Sequence, residues 1–410
     1  MPVLEEIFLD QENLPYEYFE DPFPVYQRLR EEHPVYWSDN WDCWILTRYD
    51  DVYSVLRDFK RFSSVGRISK FLNRLSESKN GKFETIHDHF STGLINTDPP
   101  DHTRQRKLVR KGFSPTLVET MRPHVEKIVG ALLDDVQDRG QMDVIADFSY
   151  LLPTTVVTSL LRVRLSDRDQ FNEWCDAIFL FQSKGIAEIE TAQKCEESLR
   201  DLRAYFRRLL DTRKRVPQDD LTSRLAAAEE EGEKLTEAEV MSSMGTLLIG
   251  GYETTMSLIG SAIVELLQHP DQMELLRNDP SLIESAVEEF LRYDSPAQRL
   301  LRVATEDVEL DGVLIKKGQM VSAMLGAANH DPSQFPDPSR LDITREDNKH
   351  LAFGFGAHVC IGGQLARMES QIAIGTYLER LPNLRLDPDQ PVRWRTSAGN
   401  RGPKSVPVLF

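Results

Sequence analysis

The stretch from Thr236 to His269 constrains this chain more than any other. Apolar residues recur at Val240, Met244, Leu247, Leu248, Leu258, Ile259, Ile263, Leu266 and Leu267, the spacing of a helix rather than a strand. Thr236, followed three residues later by Glu239, forms a capping box, in which a first turn satisfies its own free donors. The helix is predicted to stop at His269-Pro270, because proline cannot continue it. About 32 residues at 1.5 Å each give roughly 48 Å, long enough to cross a whole domain. Gly250 and Gly251 fall in the middle, where each costs about 1 kcal/mol relative to alanine. The expectation is that something lies close to the backbone there.

The rest of the chain narrows the class. It has 410 residues, 40% of them hydrophobic and 28% charged, which is globular and not disordered usage. A chain this long buries a large core without disulfide staples. The cysteines Cys43, Cys175, Cys195 and Cys360 are scattered with no CxxC pair, which argues against a disulfide scaffold and a zinc cluster. A net charge of −17 argues against nucleic-acid binding. The first residues, MPVLEEIFLDQENLP, show no basic and apolar leader, and no run approaches the roughly 18 apolar residues of a membrane span. The expectation is a monomeric cytoplasmic protein without membrane or nucleic-acid partners. Without repeats or a low-complexity linker, residues 1–410 are expected to form one domain.

Residues 35–58 read as short strands followed by a helix, and 60–97, with Gly66, Gly81 and Gly93, as a polar irregular loop of functional length. From 99 to about 290 the pattern is mostly helical, with one helix from about Pro115 to Asp138 and a break at Val216-Pro217. Ser281 and Glu284 read as the cap of a helix running through Arg292. Residues 303–325 are strand-like, with an Asp311-Gly312 turn. A glycine-rich loop around Cys360 then feeds a last helix. The fold class expected is mainly α with a smaller β region.

Cys360 carries the chemistry. It precedes a helix whose dipole and free N–H groups favour a thiolate. Gly354, Gly356, Gly362 and Gly363 let a flat ligand or another backbone approach closely. The bland reading is a buried free cysteine in a glycine-rich turn. A thiolate there serves as nucleophile, zinc ligand or haem ligand. Zinc wants about four ligands and no second Cys or His sits at ligand spacing, whereas one thiolate suffices for haem iron. A nucleophile needs a base that the spacing does not locate.

The run Phe353-Gly-Phe-Gly356-Ala-His358-Val-Cys360-Ile-Gly362 resembles the haem-binding loop of the cytochrome P-450 family, the haem-thiolate monooxygenases. Glu289-Phe-Leu-Arg292 resembles the family's E-x-x-R motif, and Gly251-Tyr-Glu253-Thr254-Thr255 the oxygen-binding segment of its long central helix. The likeness extends from roughly Pro22 to Val408 and implies the triangular-prism fold, with that helix over the haem. It implies haem b on Cys360, with Phe353, Gly354 and Gly251 against it and His102, Arg106, Arg302 and His358 at its propionates. Charge-assisted bonds suit those residue types to carboxylates. It implies that Thr254 and Glu253 deliver protons to bound oxygen. It further implies a buried Glu289–Arg292 pair joined by Arg340, whereas an i, i+3 pair on its own is most often a solvated surface feature.

Arg104, Lys107, Arg110 and Lys111 form a basic stripe in an acidic chain. By resemblance they belong to the face where an acidic ferredoxin or flavodoxin, fed by its reductase from NAD(P)H, docks. The substrate pocket is expected to use Gln298, Arg299, Leu300, Leu248 and Ala398, with Asn400 a further polar candidate and His87 and His89 as exposed histidines nearby. The function implied is an O2-activating monooxygenase acting on a small organic substrate, with bacterial secondary metabolism as the expected setting, in a length that leaves no room for a fused reductase. Two competing readings are a peroxide-driven haem-thiolate enzyme and a haem- or ligand-binding protein without turnover. The Glu253-Thr254 pair counts against both.

Overall fold

A computed structural model describes residues 14–76, 83–184 and 189–410. Gly81 and the first 13 residues lie outside the described residues. The central helix spans Glu237–Gln268, and both bonds of its capping box are present: Glu239 N donates to Thr236 Oγ1 at 3.2 Å, and Thr236 N to Glu239 Oε2 at 2.8 Å. By length and composition this helix would pass as a membrane span, contrary to the reading that no run comes close. It is instead mostly buried, since helices Leu151–Leu160, Ile189–Arg215, Ile283–Tyr293 and Gly363–Arg380 all pack against it or its neighbours. The rod is the axis of the core.

The β region sits at one side. Strands β1 (Val35–Ser38), β2 (Cys43–Leu46), β3 (Phe62–Ser63), β4 (Arg299–Ala304) and β5 (Met320–Met324) form a sheet in the order β1-β2-β5-β4-β3. β5 runs parallel to β2, with Val321 opposite Trp44, and antiparallel to β4, with Ser322 opposite Leu301. Strand alternation then puts Leu300 and Arg302 on one face of β4 and Arg299 and Leu301 on the other. The Asp311-Gly312 turn closes a hairpin, with both residues in the left-handed region.

Three local expectations are corrected. The stretch read as an irregular loop contains helices Arg67–Ser76 and Glu84–Thr92. Ile68, Phe71, Leu72 and Leu75 already carry the helical period of the first, while the second holds only Ile86 and Phe90 as large apolar residues. The helix read over 115–138 is broken at Met121 into Pro115–Thr120 and Arg122–Asp134. Helix Ile283–Tyr293 has no side-chain cap from a Ser281–Glu284 pair; it follows the short turn Pro280–Leu282, which Asp279 caps by accepting from Ser281 N at 3.1 Å.

Candidate active site

The cysteine loop is shaped by backbone geometry. Gly354 and Gly356 are both in the left-handed region, at φ +68° and +74°. A Cβ on Gly356 would also stand 2.7 Å from the Leu56 carbonyl oxygen, so both its conformation and its space demand glycine. The resulting turn lets Cys360 N donate to Phe353 O at 2.9 Å. The last helix begins three residues later, at Gly363. Cys360 is exposed on its cavity side, unlike Cys43, Cys175 and Cys195, which are buried. Surrounding protein pushes its thiol up, while the N–H groups of Gly362 and Gly363 and the charges of Arg106 and Arg367 pull it back. Helix N–H groups thus act on the thiol as read from the sequence, but burial outweighs them.

Cys360 opens onto a chamber of about 260 Å³. Central-helix residues Leu247, Gly250, Gly251, Thr254, Thr255 and Leu258 line one side of it. Leu94, Ile95, Pro296, Ala297 and Leu300 add apolar wall, and Phe353 and Gly354 border the cysteine. A Cβ on Gly250 would meet no protein atom within 4 Å, so this glycine faces open chamber; at Gly251 it would meet Val157 Cγ2 at 3.1 Å. At Gly251 the close neighbour expected at the glycine pair is thus a side chain, and Gly250 borders the chamber. Thr254 Oγ1 donates to Gly250 O at 2.7 Å, which leaves the hydroxyl oxygen as an acceptor toward the chamber.

Glu253 points elsewhere. It is buried and absent from the chamber wall, and its Oε1 accepts from Arg395 Nη1 at 2.9 Å. Burial raises its pKa to about 8 against the pull of Arg395, with the nearby Asp176 charge adding to the rise. Near neutral pH this carboxyl keeps its proton. Arg395 escaped the sequence reading, because nothing in its local pattern ties it to a residue 142 positions away.

Residues 45–396 match the family model described as Cytochrome P450. The chain belongs to the cytochrome P450 family. Cytochrome P450 107B1 of Saccharopolyspora erythraea is 40% identical to it over 391 residues, which is 93% of each chain. The 6-deoxyerythronolide B hydroxylase of the same organism is 37% identical over 95% of this chain and 96% of its own. Among solved structures, P450BioI in complex with hexadec-9Z-enoic acid ligated acyl carrier protein superposes with a TM-score of 0.88 at 36% identity, covering 96% of this chain and 99% of that one. This P450 is therefore a monooxygenase, an oxidoreductase with the family's predominantly helical fold.

The family implies haem, and the residues present fit one. His102 is buried, lines the chamber and leaves its Nε2 without a hydrogen-bond partner. Burial, then the neighbouring His358 and Arg106, lower its pKa to about 4. The His102 and His358 rings are 4.1 Å apart. Arg106 Nη2 donates to Val359 O at 2.7 Å, next to the cysteine. Arg302 is buried on the Leu300 face of β4, and burial lowers its pKa to about 10. Arg67, missed in the sequence, joins this group: burial and the Arg302 charge lower its pKa to about 9, and its guanidinium bonds Ser64 O at 2.9 Å and Asn96 Oδ1 at 2.7 Å. Asp98, 3.9 Å from His358, is the acid set among these groups. Such a cluster beside an apolar slot suits a flat apolar ligand with anionic substituents.

Beneath the cysteine lies a buried charged knot. Arg292 holds Glu289 through two bonds of 2.8 Å, and both side chains are fully buried. Arg292 also donates to Asn329 O at 3.0 Å, Pro338 O at 2.8 Å and Arg340 O at 3.2 Å. The second guanidinium on Glu289 comes from Arg345, at 3.1 Å, and not from Arg340. Arg340 is exposed and contributes only its carbonyl. Its N–H is tied to Asp337 O in a turn, which aims the side chain outward. Asn348 Nδ2 and Asp342 N complete the carboxylate's partners, each at 3.0 Å.

Several expected pocket residues face away. Arg299 lies on the opposite strand face from Leu300 and stacks 4.1 Å above the Trp41 ring. Gln298 accepts from Tyr26 OH at 2.8 Å and donates to Ser295 O at 2.6 Å, in the core. Leu248 is one residue off the chamber stripe, which Leu247 occupies instead. Ala398 packs with Tyr18, Tyr26 and Trp41, and Asn400 bridges to Ala297 by its backbone. Of these six, only Leu300 is on the wall. His87 is exposed as expected, whereas His89 is buried and burial lowers its pKa to about 4.

The basic stripe on helix Asp101–Gly112 is partly covered. Arg104 pairs with Glu239, Lys111 with Glu230, and Lys107 lies 3.9 Å from Glu230. Glu230 belongs to the acidic hairpin of strands Glu229–Glu230 and Glu233–Lys234. Arg110 remains exposed, within electrostatic reach of Arg106.

Proposed function

We propose that this P450 inserts one atom of O2 into an apolar small molecule in the cytoplasm, in a bacterial secondary-metabolic reaction. NAD(P)H electrons reach it through a ferredoxin or flavodoxin and its reductase. The observation that carries this reading is the convergence of Cys360 and the Thr254 hydroxyl on one apolar chamber. Haem, when bound, supplies the iron at which O2 is activated and reduced. Cys360 would ligate its iron, Arg106, Arg302 and Arg67 would neutralise its carboxylates, and the neutral imidazoles of His102 and His358 would donate hydrogen bonds to them. Phe353, Gly354 and Gly251 would flank it. The wall formed by Leu94, Ile95, Leu247, Pro296, Ala297 and Leu300 would exclude water and select apolar substrates by shape.

Thr254 is placed to hold a proton-bearing group at the chamber, since its own proton is committed to Gly250 O. Glu253 retains a proton near neutral pH and has to leave Arg395 to pass it on, which makes Arg395 a brake on proton delivery. The relative named as a 6-deoxyerythronolide B hydroxylase and the P450 solved with an acyl carrier protein make two substrate forms worth testing, free and carrier-bound. For the electron carrier, Arg110 is the assigned contact, because Glu239 engages Arg104 and the acidic hairpin engages Lys107 and Lys111.

Thr254→Ala tests the reading. With a ligand that shifts the haem spin state and a surrogate ferredoxin system, the variant is expected to keep consuming NAD(P)H while product falls about tenfold and hydrogen peroxide rises. Unchanged coupling would remove the assigned role of Thr254. Product formed with hydrogen peroxide alone, and none with the reductase, would favour the peroxide-driven alternative.

A further inference from the structure

Helix Glu84–Thr92 starts without a cap of its own, since Phe83 precedes it and offers no side-chain acceptor. A helix start leaves backbone N–H groups unpaired, and a carboxylate there gains from both hydrogen bonding and the dipole. The acceptor comes from a distant part of the chain. Glu196, buried on helix Ile189–Arg215, receives Thr85 N on Oε1 at 3.0 Å and Ile86 N on Oε2 at 2.9 Å. The other side of the short helix rests on the central helix. Ser242 Oγ donates to His89 O at 3.1 Å, and the His89 ring fills the gap over Gly245, where a Cβ would come within 2.8 Å of Cε1. After the helix the chain turns at Gly93 and sets Leu94 and Ile95 into the chamber wall.

We infer that Glu196 is a positioning residue for the substrate chamber. Its carboxylate ties the Ile189–Arg215 helix to the Glu84–Thr92 helix and so fixes where Leu94 and Ile95 stand. This inference rests on the proposed use of the chamber as the substrate's place. If the tie is broken, the short helix frays at its start, the wall loosens, and ligands leave faster.

The experiment uses the haem-loaded protein with Glu196→Ala and Glu196→Gln, and Glu197→Ala at the exposed neighbouring position as control. Amide exchange reports on residues 85–90. Stopped-flow haem absorbance gives the release rate of 4-phenylimidazole, an azole that ligates haem iron. Glu196→Ala is expected to raise both exchange and release about tenfold, Glu196→Gln by a smaller factor because one acceptor remains, and the control by nothing. Unchanged exchange in a folded Glu196→Ala variant overturns the inference. So does faster exchange with unchanged azole release, which would leave the wall independent of the cap. Should Glu196→Ala not fold, Glu196→Gln decides by the same two readouts. These readouts do not depend on turnover. Faster exchange and release in an enzyme that oxidises nothing would count against the proposed function and not against this role of Glu196.

Discussion

The cysteine side and the substrate side of the chamber are built on different physics. Under the cysteine, Glu289 collects two arginines, an asparagine and a backbone N–H in full burial, and Arg292 spends its remaining donors on three carbonyls. The opposite wall is apolar contact plus one remote cap, the Glu196 carboxylate. Buried charges tolerate almost no displacement, because a half-paired charge in the interior is expensive. Apolar walls tolerate exchange of size and shape. The first region can thus stay fixed while the second is recut for another molecule.

The largest expected effect is on the cysteine side. Glu289→Ala strands Arg292 and Arg345 without their shared carboxylate and is expected to cost about 3–5 kcal/mol of stability. Chemical denaturation together with haem content checks it. A loss below 1 kcal/mol would erase the contrast between the two regions.

The next effect concerns Glu253, which lies behind the chamber on Arg395. Its folded pKa of about 8 lies above the 4.5 of an ordinary glutamate. Below about pH 4.5 the group is protonated in both states. Between there and about pH 8 the unfolded chain releases the proton that the folded chain still holds, so this group's contribution falls as pH rises and levels off beyond pH 8. Glu253→Gln is expected to remove that decline. Thermal melts of both proteins across the window check it, and parallel pH profiles would count against the assigned burial effect.

The smallest effect on stability belongs to the wall. Ile95 is partly exposed, at 37%, and Ile95→Ala is expected to cost about 1 kcal/mol or less. The same change should alter the affinity for spin-shifting ligands severalfold, read by haem titration. A large stability loss with unchanged affinity would place Ile95 in the core rather than on a recognition surface.

The legibility of the chain follows the same division. The cysteine loop, the Glu289–Arg292 pair and the capped central helix are local patterns, set by residues a few positions apart. Arg345, Arg395 and Arg67 act across 56, 142 and more than 200 positions, so no spacing announces them. Arg340 was the third member of the knot that the resemblance implied, but its side chain is exposed past the Asp337 turn and Arg345 takes the place. Arg299 and Leu248 fell to parity, since one step along a strand or helix turns a side chain off the wall. Helix Glu84–Thr92 went unread because its start is capped from another helix.

Gly250 adds an engineering consequence. It sits in an unbroken helix with no protein atom near where a side chain would begin. Alanine there would improve helix propensity by up to about 1 kcal/mol, and every added carbon would subtract directly from the reaction space. Retaining glycine therefore sacrifices stability for volume. Position 250 is a built-in volume control: graded replacement by alanine, valine and leucine would shrink the accessible substrate range stepwise, with little disturbance to the frame that holds the cysteine.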